Sequence, residues 1–299
     1  MVLLQFWELP ESSEDVFSLF SASDIRRTRD KALENLETLI LAITSRLFIL
    51  RHHPSFPDPE FAPDRDALNC IRVLTRLLPY LYEAENLQQW EERFFWGARR
   101  KRTRKSVVAN EILFDGGTGD GLDGLTSPRP KLDEFEEAKP LAEELIDTLV
   151  DLMFFSGLTL PRQANGKPKV TYAIWQSGVG CNASVATTKE FESNRIEILR
   201  LLLTLAGKSM YMTPAVLPQR GVRVLTHLCT CPDKQIVLSV LCSLLNTVSC
   251  WETANPHNGR LGTFETDKSP QNNSLSSTIP LVGEYRTTPS FSRTPSKSL

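Results

Sequence analysis

The chain has 299 residues, 41% of them apolar, and a formal net charge of -2. This composition is typical of a soluble globular protein with one large or two modest domains, and any strongly positive surface must therefore be local. The six cysteines are scattered and the first ten residues lack the features of a secretory leader, which together predict a reduced, cytosolic setting.

Apolar residues recur at spacings of three and four along most of the chain, which is the pattern of amphipathic helices. Asp64 stands where an N-cap is expected, Pro79 is expected to kink or end its helix, and Pro140 lies at a favoured helix start. The predicted helices cover about residues 32–51, 64–81, 141–153, 196–206, 222–228 and 236–248. Period-two alternation is nearly absent apart from residues 170–175. We therefore predict an all-α protein, in which antiparallel helices form an irregular α-solenoid-like stack.

Residues 235–251 carry no formal charge and are rich in Ile, Val and Leu. The stretch is 17 residues long and contains several Ser, Thr, Asn and Gln residues, whereas a spanning helix needs about 20 predominantly apolar residues. We interpret it as a buried core helix.

Three segments break the helical pattern, and the first is a short, rigid, proline-rich connector at 54–63. A glycine-rich stretch at 115–130 predicts a mobile insertion, which we place at about 99–138. In residues 252–299, 28 of 48 residues are Ser, Thr, Asn, Gln, Gly or Pro, which predicts disorder. The predicted organisation is a helical domain over 1–251 and a disordered, low-complexity tail over 252–299.

A dense basic cluster directly follows three aromatic residues. Basic side chains gain Coulomb energy at an anionic surface, while Trp and Phe rings settle at the headgroup boundary. Three interpretations stay open: a merely solvated face, contact with an anionic membrane surface, and a nuclear-import or nucleic-acid signal. The candidate membrane-contact residues are Phe94, Phe95, Trp96, Arg99, Arg100, Lys101, Arg102, Arg104 and Lys105.

No pattern in the chain predicts catalysis, a metal site or a cofactor. The glycines after Asp115 lack a following helix and a closing Lys-Ser or Lys-Thr pair, so they do not form a phosphate loop. His227, Cys229 and Cys231 lack the paired spacing of a zinc site, and we interpret Cys229 and Cys242 as core residues. No histidine has a recognisable carboxylate partner in a triad pattern. We expect no enzyme activity and no small-molecule substrate.

Several stretches, read together, resemble the high-temperature-induced dauer-forming protein (Hid-1) family, to which dymeclin is a distant relation. The order and spacing fit across about residues 6–250. The stretches that carry the resemblance are Phe6-Trp7, 15–20 with Ile25-Arg26, 68–80, 94–96, 139–145, 175–180, 194–204, Met210-Tyr211-Met212 with Pro214, and 243–248.

The resemblance implies a helical scaffold without enzyme activity that is peripherally bound to Golgi and trans-Golgi membranes. Its implied role is in protein sorting and secretory vesicle traffic, with other trafficking proteins as partners. The basic insertion after Trp96 resembles the form found in fungal members. An alternative is a nuclear or nucleic-acid-associated helical adaptor that uses the basic cluster as an import signal.

Two features depart from the family pattern. Val2 stands where animal members have a glycine suited to myristoylation, so that anchor is not expected here. Relatives also continue with further helices after the stretch at 243–248, whereas this chain becomes polar, as in a truncated or misassembled reading of a longer gene. A helical stack cut at this point exposes the apolar face that its next repeat covers, so we expect an isolated product to be aggregation-prone.

Overall fold

The computed structural model describes residues 7–102, 135–163 and 169–254. Within these ranges two 3₁₀ turns, Glu85–Leu87 and Gly207–Tyr211, connect longer elements. The strands are β1 (Arg99–Arg102) and β2 (Phe135–Ala138). The helices are α1 (Asp15–Leu19), α2 (Ala22–Lys31), α3 (Leu33–His52), α4 (Asp64–Tyr82), α5 (Gln88–Trp96), α6 (Leu141–Met153), α7 (Lys189–Ala206), α8 (Leu217–Arg220), α9 (Arg223–Cys229) and α10 (Lys234–Ala254).

The prediction of an all-α protein is confirmed, because helices dominate and β1 with β2 forms the one small sheet of the described residues. The predicted helices correspond to α3, α4, α6, α7, α9 and α10.

The ends of two helices differ from the prediction. Asp64 is the first residue of α4 and not its N-cap, which is Pro63, and α4 continues for three residues beyond Pro79. The central glycine-rich insertion and residues 255–299 lie outside the described residues, while α10 itself runs to Ala254.

Helix α4 lies at the centre of the fold. Helices α1, α2, α3 and α7 pack against it, and α6 packs against α3, α5 and α7. Most α4 residues are buried, because its apolar side chains occur on more than one face. The buried apolar residues of α3, α4, α6 and α7 therefore form one continuous core.

Two polar residues inside α4 are satisfied by specific partners. Arg46 of α3 binds the Asp66 carboxylate with an N–O distance of 2.6 Å. The amide of Asn69, which is fully buried, donates to the main-chain oxygens of Trp7 and Pro10, both at 2.8 Å. Asn69 thus ties the segment before α1 to the central helix, and its Oδ1 also accepts a hydrogen bond from Arg72.

Helix α10 has an unusual arrangement of polar and apolar faces. Its buried side chains include Ser239, Ser243 and Asn246, which face the extended segment 172–181. Asn246 donates to the carbonyl oxygen of Gln176 at 2.9 Å and accepts from the amide of Val179 at 2.7 Å. Side-chain hydrogen bonds to the main chain of an extended segment therefore hold α10 in place.

The apolar residues on the opposite face of α10 are exposed. Partial packing against the core comes from Ile236, Val240 and Leu244. The prediction of a buried core helix at 235–251 is therefore wrong for its outer face, since the buried face is partly polar. The exposed outer residues, here called the α10 stripe, are Leu238, Leu241, Leu245 and Val248.

In the described ranges no single helix is both long and apolar enough to cross a membrane. Helix α9 and the part of α10 up to Cys250 pass that test together on length and composition, but they are bent by 114° relative to one another.

We predict that Asn69→Ala lowers the free energy of unfolding by about 1–3 kcal/mol, because it leaves the Trp7 and Pro10 carbonyl oxygens buried without their donor. Urea denaturation followed by circular dichroism measures this loss. Asn35→Ala, at an exposed position of α3, is the matched control and should change the stability by less than about 0.5 kcal/mol. Equal effects of the two substitutions would contradict the assigned role of Asn69.

Candidate functional site

The aromatic residues before the basic cluster belong to α5 and pack against one another. Trp90 stacks on Phe94 with ring centroids 4.9 Å apart and an interplanar angle of 12°. Phe95 meets both rings edge-on and is only 3% exposed. The prediction that Phe95 contacts a membrane surface therefore requires correction, because α5 packs on α6 and directs this ring into the core.

Phe94 and Trp96 are partly buried and pack against the same core. The guanidinium of Arg223, from α9, lies 5.2 Å from the centroid of the Trp96 ring. Arg223 also binds the Glu92 carboxylate at 2.5 Å. The Trp96 ring is thus covered on one side by a cation of the same chain.

The chain changes from helix to strand at Gly97. A Cβ atom at this position would lie 2.3 Å from the carbonyl oxygen of Arg93, so the close approach of the backbone requires glycine. Strand β1 then runs antiparallel to β2, and together they form the base of the insertion. The sequence did not predict either strand, since neither shows period-two alternation.

The register of this sheet places acidic residues opposite basic ones. Arg100 lies opposite Glu137, and Lys101 lies opposite Glu136. Directly opposed residues of unlike charge stabilise antiparallel pairs by about 0.2–1 kcal/mol. The acidic strand therefore offsets part of the positive charge of β1.

The predicted membrane-contact residues of the basic cluster have different surroundings. Arg99 is partly buried, forms an ion pair with Glu144 and donates from Nε to the carbonyl oxygen of Lys139 at 2.9 Å. It therefore fastens β1 to α6. The side chain of Arg100 is exposed. For Lys101 and Arg102 the structure describes the strand backbone, whereas Arg104 and Lys105 lie outside the described residues.

A cleft of about 820 Å³ lies beside the α5 aromatic residues, and sequence reasoning missed it. It is bordered by α5, the 3₁₀ turn Gly207–Tyr211 and α9, three segments that are far apart in the sequence and share no motif. Tyr82, Phe95, Trp96 and Tyr211 line it. Aromatic and Arg side chains are enriched at protein interfaces, so the lining is of the kind that binds protein segments.

An ion pair holds one wall of this cleft. Lys208 binds Glu91, and its Nζ lies 4.7 Å from the centroid of the Tyr82 ring. Burial raises the pKa of the Tyr82 hydroxyl above its ordinary value. The Tyr82 and Tyr211 rings are 5.9 Å apart, so the wall is both aromatic and cationic.

A second polar cluster joins α6 to α9. Asp147 accepts hydrogen bonds from Lys139 and from His227, both at 2.8 Å. His227 therefore has a carboxylate partner that lies 80 residues away in the sequence, which no local spacing could indicate. Burial acts to raise the pKa of the Asp147 carboxyl group, but the Lys139 and His227 hydrogen bonds outweigh burial and the pKa is lowered.

The other residues considered for metal chemistry are dispersed. Cys229, predicted to be a core residue, is exposed because α9 ends there, while Cys242 is half-buried on α10. In residues 7–102, 135–163 and 169–254, no three or more His, Cys, Asp and Glu side chains are grouped so that they could hold a metal ion.

Comparison with known proteins identifies the family. Residues 3–262 match the sequence profile of the family described as high-temperature-induced dauer-formation protein, Hid1. The chain belongs to the Hid1 family. The match covers most of the chain, including all of the helices described above, and it confirms the resemblance found in the sequence.

Relatives of this Hid1 family chain occur in yeast and mammals. Ubp5-interacting protein ftp105 of Schizosaccharomyces pombe is 35% identical over 295 residues, covering 82% of this chain and 31% of the relative. Protein HID1 of Homo sapiens is 31% identical over 262 residues, covering 83% of this chain and 29% of the relative. The chain thus spans about a third of the length of these relatives. No solved structure matches it.

We predict that Asp147→Asn lowers the free energy of unfolding by about 1 kcal/mol at pH 7, because the ionised carboxylate loses its charge-assisted hydrogen bonds. A lowered pKa in the folded state stabilises the fold above the ordinary carboxyl pKa near 3.8, and this stabilisation is lost as the pH falls through the folded value. The difference between the variant and the natural chain should therefore shrink in denaturant titrations from pH 7 to pH 3.

The control for this titration is Glu34→Gln, which removes an exposed carboxylate of α3. Its effect should be small at every pH. A stability difference for Asp147→Asn that stays constant down to pH 3 would show that the carboxylate charge is not what stabilises the α6 and α9 contact.

Proposed function

We propose that this Hid1 family chain acts as a non-enzymatic, peripheral membrane scaffold in Golgi and trans-Golgi protein sorting and secretory vesicle traffic, on the cytoplasmic side of the membrane. The supporting observation is the basic strand β1, whose Arg100 side chain is exposed and which stands at the base of an insertion on a continuous helical core. The family resemblance supports the Golgi setting and the scaffold role.

The contact with anionic lipid is assigned to the part of the basic cluster that does not hold the fold together. Arg99 is engaged by Glu144 and Lys139, and Phe95 is buried, so neither is proposed to contact lipid. Arg100 is exposed and is followed in the sequence by four more basic residues within positions 101–105. Each basic residue near an anionic leaflet contributes roughly 1 kcal/mol of attraction.

Glu136 and Glu137 are proposed to moderate this attraction. Because they lie opposite Lys101 and Arg100 in the sheet, they lower the positive potential that β1 presents to a membrane. Contact with lipid is then reversible and dependent on ionic strength. Such reversible contact is what a peripheral membrane protein requires, whereas a permanent anchor would hold it on the membrane.

Protein partners are part of the same proposal. The Schizosaccharomyces pombe relative is named as interacting with Ubp5, and the aromatic cleft beside α5 provides this chain with a surface suited to a protein segment. The partners proposed here are other trafficking proteins, bound while the chain lies on the membrane.

Vesicle flotation tests the lipid contact with the triple variant Arg100→Ala, Lys101→Ala and Arg102→Ala. Vesicles of phosphatidylcholine alone are compared with vesicles that also contain phosphatidylinositol 4-phosphate. We expect the variant to bind the anionic vesicles about 100-fold more weakly, because roughly 1 kcal/mol is lost for each of the three cations. A matched variant replaces three exposed cations elsewhere, Arg27, Lys31 and Lys189, and should bind normally.

The opposite change gives a second arm of this experiment. Glu136→Gln with Glu137→Gln removes the opposing negative charge and should strengthen binding to the same vesicles. If neither variant changes binding, β1 is not the lipid contact. If the triple variant instead loses nuclear import while its lipid binding is unchanged, the cluster serves as an import signal.

A further inference from the structure

A buried arginine of α7 lacks a carboxylate partner. Arg195 is only 5% exposed, and its guanidinium lies 5.2 Å from the centroid of the buried Trp175 ring. Its Nε and Nη2 both donate to the carbonyl oxygen of Thr159, at 3.1 and 2.6 Å. No ion pair within 4.0 Å joins it to a carboxylate of the described residues, and Glu192 acts on its charge only from farther away.

The unpaired charge of Arg195 makes its surroundings favourable for an anion. Burial lowers the pKa of the guanidinium, because the charged form loses hydration, and the charge of Glu192 opposes this effect only in part. Coulomb attraction between opposite charges is several-fold stronger near a protein surface or interior than in bulk water. An anion placed beside Arg195 is therefore attracted more strongly than one beside a fully exposed cation.

An exposed hydroxyl group lies where such an anion can be attached. Arg195 donates from Nη2 to the Oγ1 of Thr187 at 3.2 Å. Thr187 is exposed and directly precedes Thr188, the N-cap of α7. No backbone–backbone hydrogen bond in the described part of the chain involves residues 186 or 187. The Thr187 hydroxyl can therefore be presented to an enzyme without breaking a helix or a strand.

The sequence after Thr187 favours one class of enzyme. Glu190 and Glu192 follow it at the third and fifth positions, and both are exposed. Carboxylates in these positions complement a kinase whose substrate groove is basic. A threonine followed three residues later by Glu is also the pattern of a capping box, but the N-cap here is Thr188 and its third residue is Phe191. Capping therefore does not explain the position of Glu190.

We propose that Thr187 is a phosphorylation site for a serine/threonine kinase that prefers acidic residues after its target, and that Arg195 binds the phosphate group. In the transfer, the Oγ1 of Thr187 attacks the γ-phosphorus of ATP held by the kinase, and a new P–O bond forms. The bond from this phosphorus to the bridging oxygen breaks, ADP leaves, and the hydroxyl proton passes to a carboxylate of the kinase.

The phosphate is attracted by Arg195 more strongly than it is repelled by nearby carboxylates. Glu190 and Glu192 are exposed, so water and salt screen their repulsion, whereas the charge of the buried guanidinium is screened much less. The N-terminus of α7, an 18-residue helix, adds a partial positive charge. Phosphorylation should therefore fasten the segment before α7 to that helix.

The fastened segment also holds α10. Residues 172–181, which lead into it, bind Ser239, Ser243 and Asn246 on the inner face of α10. Charge-assisted hydrogen bonds between a phosphate and a guanidinium are about twice as strong as neutral ones. We expect phosphorylation to slow hydrogen exchange in residues 172–187 and in α10 about 10-fold, and unchanged exchange would contradict this fastening.

Treating the full chain with casein kinase II and ATP tests the site, with peptide mass spectrometry as the readout. Phosphate should appear on Thr187 in the natural chain and should be lost from this peptide in Thr187→Ala. The matched control Ser184→Ala removes another exposed hydroxyl of the same segment and should leave the modification of Thr187 unchanged. Absence of phosphate from Thr187 in the natural chain would overturn the proposal.

Phosphorus-31 NMR of the phosphorylated full chain tests the role of Arg195. A neighbouring guanidinium favours the doubly charged phosphate, so the second pKa of the Thr187 phosphate should lie below its ordinary value of about 6. This measurement needs no substitution in the buried site. A second pKa at or above about 6 would show that Arg195 does not bind the phosphate. In Arg195→Gln, checked for retained helix content by circular dichroism, the pKa should return to its ordinary value.

Discussion

The need to cover α4 organises the whole fold. Most of its residues are buried and Arg65 is its one exposed residue in the described structure, so no single neighbour can bury it. Helices from both halves of the chain therefore pack on it, with α3 on one side and α7 on another. Asp66 and Asn69 within it survive burial because each has a partner, as Asp66 has in Arg46.

Helix α10 follows the opposite rule. On α4 the apolar groups face the core, whereas on α10 part of the inward face is polar and binds the main chain of the segment 172–181. Gly178 is needed there, because a Cβ atom would lie 2.5 Å from the Asn246 side chain and the residue has a φ of +143°. The sequences at 175–180 and 243–248, which carry the family resemblance, thus meet in space. Their contact leaves the leucines of α10 facing outward.

The sequence predicted the structure correctly where the apolar spacing within a single helix determines it. It did not predict the structure where contacts between distant residues determine it. The spacing of Leu36, Ile40, Ile43 and Leu47 required a buried helix face, and α3 provides it. Periodicity could not show which face of α10 is inside, because apolar residues nearly surround that helix and the segment that binds its polar residues lies about 70 residues away. The strands β1 and β2 were missed for the same reason, since their pairing joins residues 99–102 to 135–138. The sequence alone identified the basic cluster, but it could not identify Glu144 as the carboxylate that binds Arg99.

Helix α4 is covered on nearly all sides and α10 on one side only, so the two helices should differ in local stability. Hydrogen exchange of the full chain, resolved by peptide, measures this difference directly. The amides of α4 and α6 should exchange slowest, through global unfolding, and those of α10 should exchange faster through local opening. Protection of α10 equal to that of α4, or rapid exchange throughout α4, would contradict this difference in stability.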